Sequence, residues 1–171
     1  MKAGQALLCK EGIAGMRLSK LTRKLHVSTG SFYHHFIDMD DFLGELANYY
    51  NTDQVEALIA AATSRASDPL EQIRIVGSES RKKGLFALDA AMRVWASSDV
   101  RAASSMRQSE RVVMEFLTNA FQRLGFDEAQ SEVRARMLLS LSLTNFYEVS
   151  GMDTRQLMEQ ALSLLLLDRP T

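Results

Sequence analysis

Residues 17–36 hold three kinds of side chain that could act on one partner: the cations Arg17, Lys20, Arg23 and Lys24, the short hydroxyls Ser28, Thr29 and Ser31 around Gly30, and the ring donors Tyr33 and His34. Cations attract phosphates, and Tyr and His donate to phosphate oxygens. Short hydroxyls beside a glycine let a backbone approach base edges and can touch a thymine methyl. This is the chemistry of a nucleic-acid groove. Other chemistry fits poorly. All three histidines lie between 26 and 35, and the chain has neither a Gly-x-Ser-x-Gly elbow nor a glycine-rich phosphate loop. His34 and His35 are adjacent and point about 100° apart on a helix, with no Cys, Asp or Glu in the segment to complete a ligand set, so no metal is expected. His34 reads as a phosphate contact, and His35 as partly buried or structural. Cys9 reads as a small buried hydrophobe rather than a nucleophile.

Two short helices have to position these groups. Leu18, Leu21 and Leu25 recur at i, i+3 and i+7, which predicts a helix over 18–25 with one buried stripe, while Lys20, Arg23 and Lys24 share another face. Like charges at that spacing repel unless something anionic sits opposite. His26 and Val27 make a turn, and Ser28 is a natural N-cap for a helix over 29–36 that places Phe32 and Phe36 on the core side. A preceding helix over 3–11 ends at Gly12. Together these form a helix-turn-helix.

Charge is distributed in the same sense. Residues 1–37 hold six Lys and Arg against Glu11 alone, a net +5, so the remainder of a chain of net charge −1 carries −6. A cationic head on an acidic body concentrates phosphate attraction on one face. With 171 residues, 46% of them hydrophobic, two prolines and nine glycines, the chain is expected to be an all-α protein with a sizeable core. One cysteine permits no internal disulfide, and no apolar run reaches about 18 residues, so a cytoplasmic protein without membrane contact is expected. Leu162–Leu167 is a packing helix on this reading.

Asp38 begins the next element as an N-cap, with Asp40 and Asp41 favourable in its first turn. Helical pattern then runs from 39 to about 66, broken at Asn51-Thr52, and resumes after Ser67-Asp68-Pro69 as helices over 69–79, 84–97, 99–124, 128–149 and 154–167, about nine in all. Asp127 and Gln130 form a capping box. Residues 138–147 alternate with a period near two, but their helical flanks outweigh that. The expected division is a DNA-binding domain over 1–37 and a helical regulatory and dimerisation domain over 38–171. Leu138, Leu139, Leu141, Leu143, Leu162, Leu164, Leu165 and Leu166 are more apolar surface than one small body readily buries.

The stretch LSKLTRKLHVSTGSFYHHFIDMDDFL resembles the DNA-binding signature of the tetracycline-repressor (TetR) family, through Val27, Ser28, Gly30, Ser31, Phe32, Tyr33, His34, His35 and Phe36. MRVWASSDVRAA and the later RLGFD resemble one branch of that family. Against its pattern, Arg17 replaces a Thr or Ser cap, Thr22, Leu25 and His26 replace Ala, Ala and Gly, and Met39 replaces a phosphate-binding Lys. The chain begins inside the family's first helix, without the basic arm that precedes it.

The resemblance implies a three-helix reading head on a helical-bundle body that binds ligand and dimerises. It implies a homodimeric, ligand-responsive transcriptional regulator, a repressor of a palindromic double-stranded DNA operator, with no enzymatic activity and no cofactor. The homodimer forms through helices 128–149 and 154–167. A mostly apolar small-molecule effector is expected against Phe86, Met92, Trp95, Met106, Met114 and Phe116, with Arg93 or Glu148 as polar anchor. The competing reading is a dimeric interaction module of the same fold with weakened or lost operator binding, suggested by Arg17, Met39 and the short first helix.

Overall fold

The computed structural model describes residues 1–143 and 153–169, all of whose regular elements are helical. In order they are α1 (Lys2–Glu11), a 3-10 turn (Ile13–Gly15), α2 (Leu18–Leu25), α3 (Thr29–Tyr33), α4 (Met39–Tyr49), a π-helical segment (Tyr50–Glu56), α5 (Ala57–Arg65), α6 (Pro69–Lys82), α7 (Leu85–Ala96), α8 (Val100–Arg123), α9 (Glu128–Leu143) and α10 (Thr154–Leu165). The break expected at Asn51-Thr52 is the π segment, in which the helix widens instead of stopping. The Glu148 anchor and the end of the helix expected to 149 lie outside the described residues.

Contacts divide the chain into two compact units, the first formed by residues 1–57 and 81–110 and the second by 58–80 and 111–171. In the first, Gly12 ends α1 at φ 66°, its N–H donating to the Leu8 carbonyl, and Ser28 caps α3 by accepting from the Ser31 N–H at 3.1 Å. Asp38 and Asp41 then start α4 reciprocally: the Asp41 N–H donates to the Asp38 carboxylate at 2.8 Å, and the Ile37 N–H donates to the Asp41 carboxylate at 2.9 Å. That box makes α3 shorter than the predicted 29–36, because the chain must leave the helix after Tyr33 to reach an extended Asp38. The core here gathers Leu7 and Leu8, Leu21, Phe32, Phe42 and Leu46. Phe32, Phe36 and Phe42 pack with ring centroids 5.1–5.8 Å apart. Gly4 admits this packing, since a Cβ there would lie 2.8 Å from Phe42 Cζ.

The other side of α4 is held by polar groups. Along α8, Arg101 donates to the Asp40 carbonyl at 2.8 Å, Ser105 to the Ala47 carbonyl at 2.5 Å and Ser109 to the Asn51 side chain at 3.0 Å. At the start of the π segment the Tyr50 hydroxyl donates to Asp89 at 2.8 Å, and Arg93 bridges Asp89 and Glu110 at 2.7 and 2.6 Å. Burial, reinforced by the Asp89 carboxylate, pushes the Tyr50 phenol far above its ordinary range, so it is a permanent donor here.

The second unit has its own core of Ile73, Leu117, Phe121, Leu124, Phe126, Ala135, Leu138, Leu162 and Leu165. The Arg134 guanidinium lies 3.9 Å from the Phe126 ring centroid and donates to the Leu165 carbonyl at 2.8 Å, closing the end of α10. Asp153 and Gln156 start that helix as a complete capping box. At α9 the Gln130 N–H donates to Asp127, and the alternating run from Leu138 to Leu143 is helical as expected.

Leu25 and Cys9 depart from their expected burial. Leu25 is 47% exposed, because the left-handed residue that follows it ends α2 before its third turn reaches the core. Cys9 is exposed on the outward side of α1, and partial burial raises its thiol pKa.

The carboxyl of Asp99 is held well below the usual carboxylate range, chiefly by hydrogen bonds from Arg101. Such a group stabilises the fold fully at neutral pH, and that contribution is lost as pH falls from about 4 downwards through its folded value. Asp99→Asn should therefore cost about 1 kcal/mol at pH 7, as a solvent-screened charge-assisted bond does. In urea denaturation across pH, the gap to the unmodified chain should narrow below about pH 4; a gap independent of pH contradicts this.

Candidate nucleic-acid interface

The residues expected to read DNA lie on α2, the turn after it and α3, all within the first unit. Thr29, Gly30, Tyr33 and His34 are exposed, Tyr33 to 54%, while Phe32 beneath them is buried. The outer face of α3 is thus small at one end and aromatic at the other. A Cβ added to Gly30 would meet only Ser28 Oγ at 3.7 Å, an ordinary contact. The chain's own packing does not require this glycine, and its bare backbone leaves room for a close approach from outside. Ser31 is half-buried, and Ser28 already accepts the Ser31 N–H as a cap, which leaves its hydroxyl proton for an outside acceptor.

Arg17 is the N-cap of α2, exposed and without a side-chain bond to the helix start, so its guanidinium is not spent on the cap. Buried Thr22 donates its hydroxyl to the Leu18 carbonyl at 3.0 Å and so fills the place of a smaller residue without an unsatisfied group. His26 adopts the left-handed region, φ 55° and ψ 39°, where glycine is favoured. His35 is exposed, against the expectation of a partly buried side chain, because α3 ends before its last turn could carry it inward.

Sequence reasoning missed one feature of this surface. Lys20 forms an ion pair with Glu11, across the glycine and 3-10 turn between α1 and α2, and that bond holds the Glu11 carboxyl below its ordinary pKa. The pair spans nine residues and an irregular turn, so no helical periodicity announces it. Among the described residues no cluster of three or more His, Cys, Asp or Glu could hold a metal, and no helix is long and apolar enough to cross a membrane.

The residues expected to line an effector pocket are shared between the two units. Phe86, Met92, Trp95 and Met106 belong to the first unit, where Met92 and Trp95 are buried, whereas Met114 and Phe116 pack on the core of the second. Arg93 is engaged by Asp89 and Glu110.

Comparison with known proteins agrees with this geometry. Residues 1–46 match the family model for bacterial regulatory proteins of the tetR family. A TetR-family transcriptional regulator from Agrobacterium tumefaciens superposes with a TM-score of 0.70 at 18% identity, covering 96% of this chain and 92% of that one. A protein from Rhodococcus sp. assigned to the TetR family gives 0.68 at 16% identity, covering 99% and 95%. No curated protein sequence matches the chain significantly.

Three outcomes follow from the head's geometry. His26→Gly should stabilise the fold by about 0.5–1 kcal/mol in urea denaturation, the strain of a left-handed side chain less the added freedom of the unfolded chain. In DNA titrations over a salt series, Lys20→Ala should reduce the slope of log K against log salt by about 0.9, one phosphate contact. Glu11→Gln, which frees Lys20, should tighten binding severalfold. An unchanged slope in Lys20→Ala places that lysine outside the interface.

Proposed function

We propose that this chain, which carries the reading head of the tetR family of bacterial regulatory proteins and their fold along its length, is a homodimeric, ligand-responsive repressor of transcription. It acts by binding rather than by turnover, in the cytoplasm where its operator lies. The observation that carries the reading is the outer face of α3, small and polar at Thr29 and Gly30 and aromatic at Tyr33 and His34, beside the cations of α2. A face of that kind fits a major groove, with Arg17, Lys20, Tyr33 and His34 on phosphates and Thr29 and Ser31 near base edges. The DNA-binding domain is then 1–37, and 38–171 senses and dimerises.

One α3 of five residues covers only a few base pairs, so reading a specific operator calls for two copies on a palindrome. The second unit supplies apolar surface for pairing: Val133 and Met137 of α9, one turn apart, and Leu164 and Leu167 at the end of α10 are all more than half exposed. A specific observation favours the alternative of an interaction module with weakened operator binding, namely the hold of Glu11 on Lys20.

A titration of the chain against its own upstream DNA, with its mass in solution measured in parallel, tests the reading. A dimer and a salt-dependent, saturable complex are expected, weakened at least tenfold in Tyr33→Ala and His34→Ala, about 1.4 kcal/mol. Leu164→Glu with Met137→Glu should yield monomers that lose the operator complex. A dimer with no salt-dependent complex would instead identify the interaction module.

A further inference from the structure

A cleft of about 540 Å³ opens within the first unit between α4, the start of the π segment and the first turns of α8. Its walls mix polar side chains with small apolar ones and Val100. Asn48, Asn51, Ser104, Ser105, Gln108 and Arg101 line it, with small Gly44 and Ala47 on the α4 side. We infer that this cleft is a binding site for a small, uncharged molecule carrying several hydroxyl or amide groups, a polyol, sugar or nucleoside in chemical class. The inference rests on the reading of the chain as an effector-responsive regulator, and it names a different ligand class from the mostly apolar one expected.

Three observations support it. Gly44 stands inside α4, where glycine weakens a helix, yet a Cβ built on it meets nothing within 4 Å. No packing in this unit calls for that glycine, and the space beside it is the cleft. Second, the cleft reaches polar side chains that are themselves engaged in bonds an occupant could share. The Ser105 hydroxyl donates to the Ala47 carbonyl, and a hydroxyl oxygen can also accept; the Asn51 amide accepts from Ser109 and donates to Glu56. Ser105 and Asn51 are themselves buried. Third, the one charged lining residue, Arg101, is already neutralised by Asp99 at 2.8 Å and Asp40 at 3.3 Å. An anion would have to displace two carboxylates and a cation finds no partner, whereas neutral donors and acceptors meet their complements.

The site also has a route to the reading head. Ser105 and Asn51 are two of the groups through which α8 holds α4 and the start of the π segment, so an occupant must share or displace their bonds and thereby shift how α4 is seated. Helix α4 places Phe42 and Leu46 in the same core as Leu21 and Phe32.

Thermal unfolding of the full chain tests this with millimolar myo-inositol, adenosine and thymidine as neutral probes, dodecanoate as an apolar probe and citrate as an anionic one. A saturable rise in Tm from at least one neutral probe is expected, abolished in Gly44→Leu, whose side chain occupies the cleft. Ser104→Trp, which fills it from the α8 side, should do the same, and circular dichroism shows that each variant is folded. A response confined to dodecanoate or citrate, no response to any neutral probe, or a response unaltered in both filled variants overturns the proposal. Upstream-DNA titration with and without the responding probe separates the two readings: a chain that binds the probe but no DNA keeps the cleft and loses the regulator, whereas one that binds DNA but no neutral probe loses the cleft alone.

Discussion

The contact of Phe42 and Leu46 with the bare backbone of Gly4 is the constraint on which the first unit is built. It brings α1 onto α4 closely enough for Phe32 and Phe36 to complete an aromatic cluster, and that cluster is the floor on which the five residues of α3 rest. So short a helix is not stable by itself, since nucleating its first turn is unfavourable and almost no propagation follows. Its orientation is inherited from Phe32, from the Ser28 cap and from the Asp38–Asp41 box that turns the chain into α4. A substitution in that cluster would be read out on the opposite face, at Thr29, Tyr33 and His34.

Helix α4 meets α8 with contacts of a different kind. A row of three donors at i, i+4 and i+8 of α8 reaches points along α4 and the π segment, from Asp40 to Asn51. Net, each such bond is worth only about 1 kcal/mol, less than a buried leucine, but leaving its partner buried and unpaired costs more. Polar rows therefore specify register better than they add stability. Sliding α4 along α8 would break all three at once, and only displacements that re-satisfy them are open. Seating of this sort suits a helix that must choose between discrete positions rather than drift.

Much of this was legible in the residues. The two helices of the helix-turn-helix, Ser28 as a cap, Asp38 as the start of α4 and the helices around Pro69, Gly84 and Gly125 all follow from local rules of capping, periodicity and glycine placement. What was not legible depends on tertiary geometry. Leu25 fits the apolar stripe of α2 yet is exposed, because whether a stripe is buried along its full length is decided by where the neighbouring helix ends. Lys20 looks like a solvated cation until the turn at Gly12 brings Glu11 against it. In the same way Met92, Trp95 and Phe116 are apolar and helically spaced, but spacing along the chain cannot say that the first two are buried in the first unit while the third is only partly buried against the core of the second.

His26 shows how local rules and the fold can disagree without contradiction. A left-handed residue between α2 and α3 is demanded by the turn, and glycine meets that demand without strain. Histidine accepts the strain, and the surrounding bonds fix it there: its N–H donates to the Arg23 carbonyl at 3.3 Å and the next N–H, of Val27, to the Thr22 carbonyl at 3.0 Å. Thr22 in turn is buried with its hydroxyl returned to the first turn of α2. The two departures thus belong to one turn, closed by backbone bonds that do not depend on the side chain at 26. What histidine adds is an exposed imidazole between the cations of α2 and the hydroxyls of α3, on the surface through which phosphates would be met.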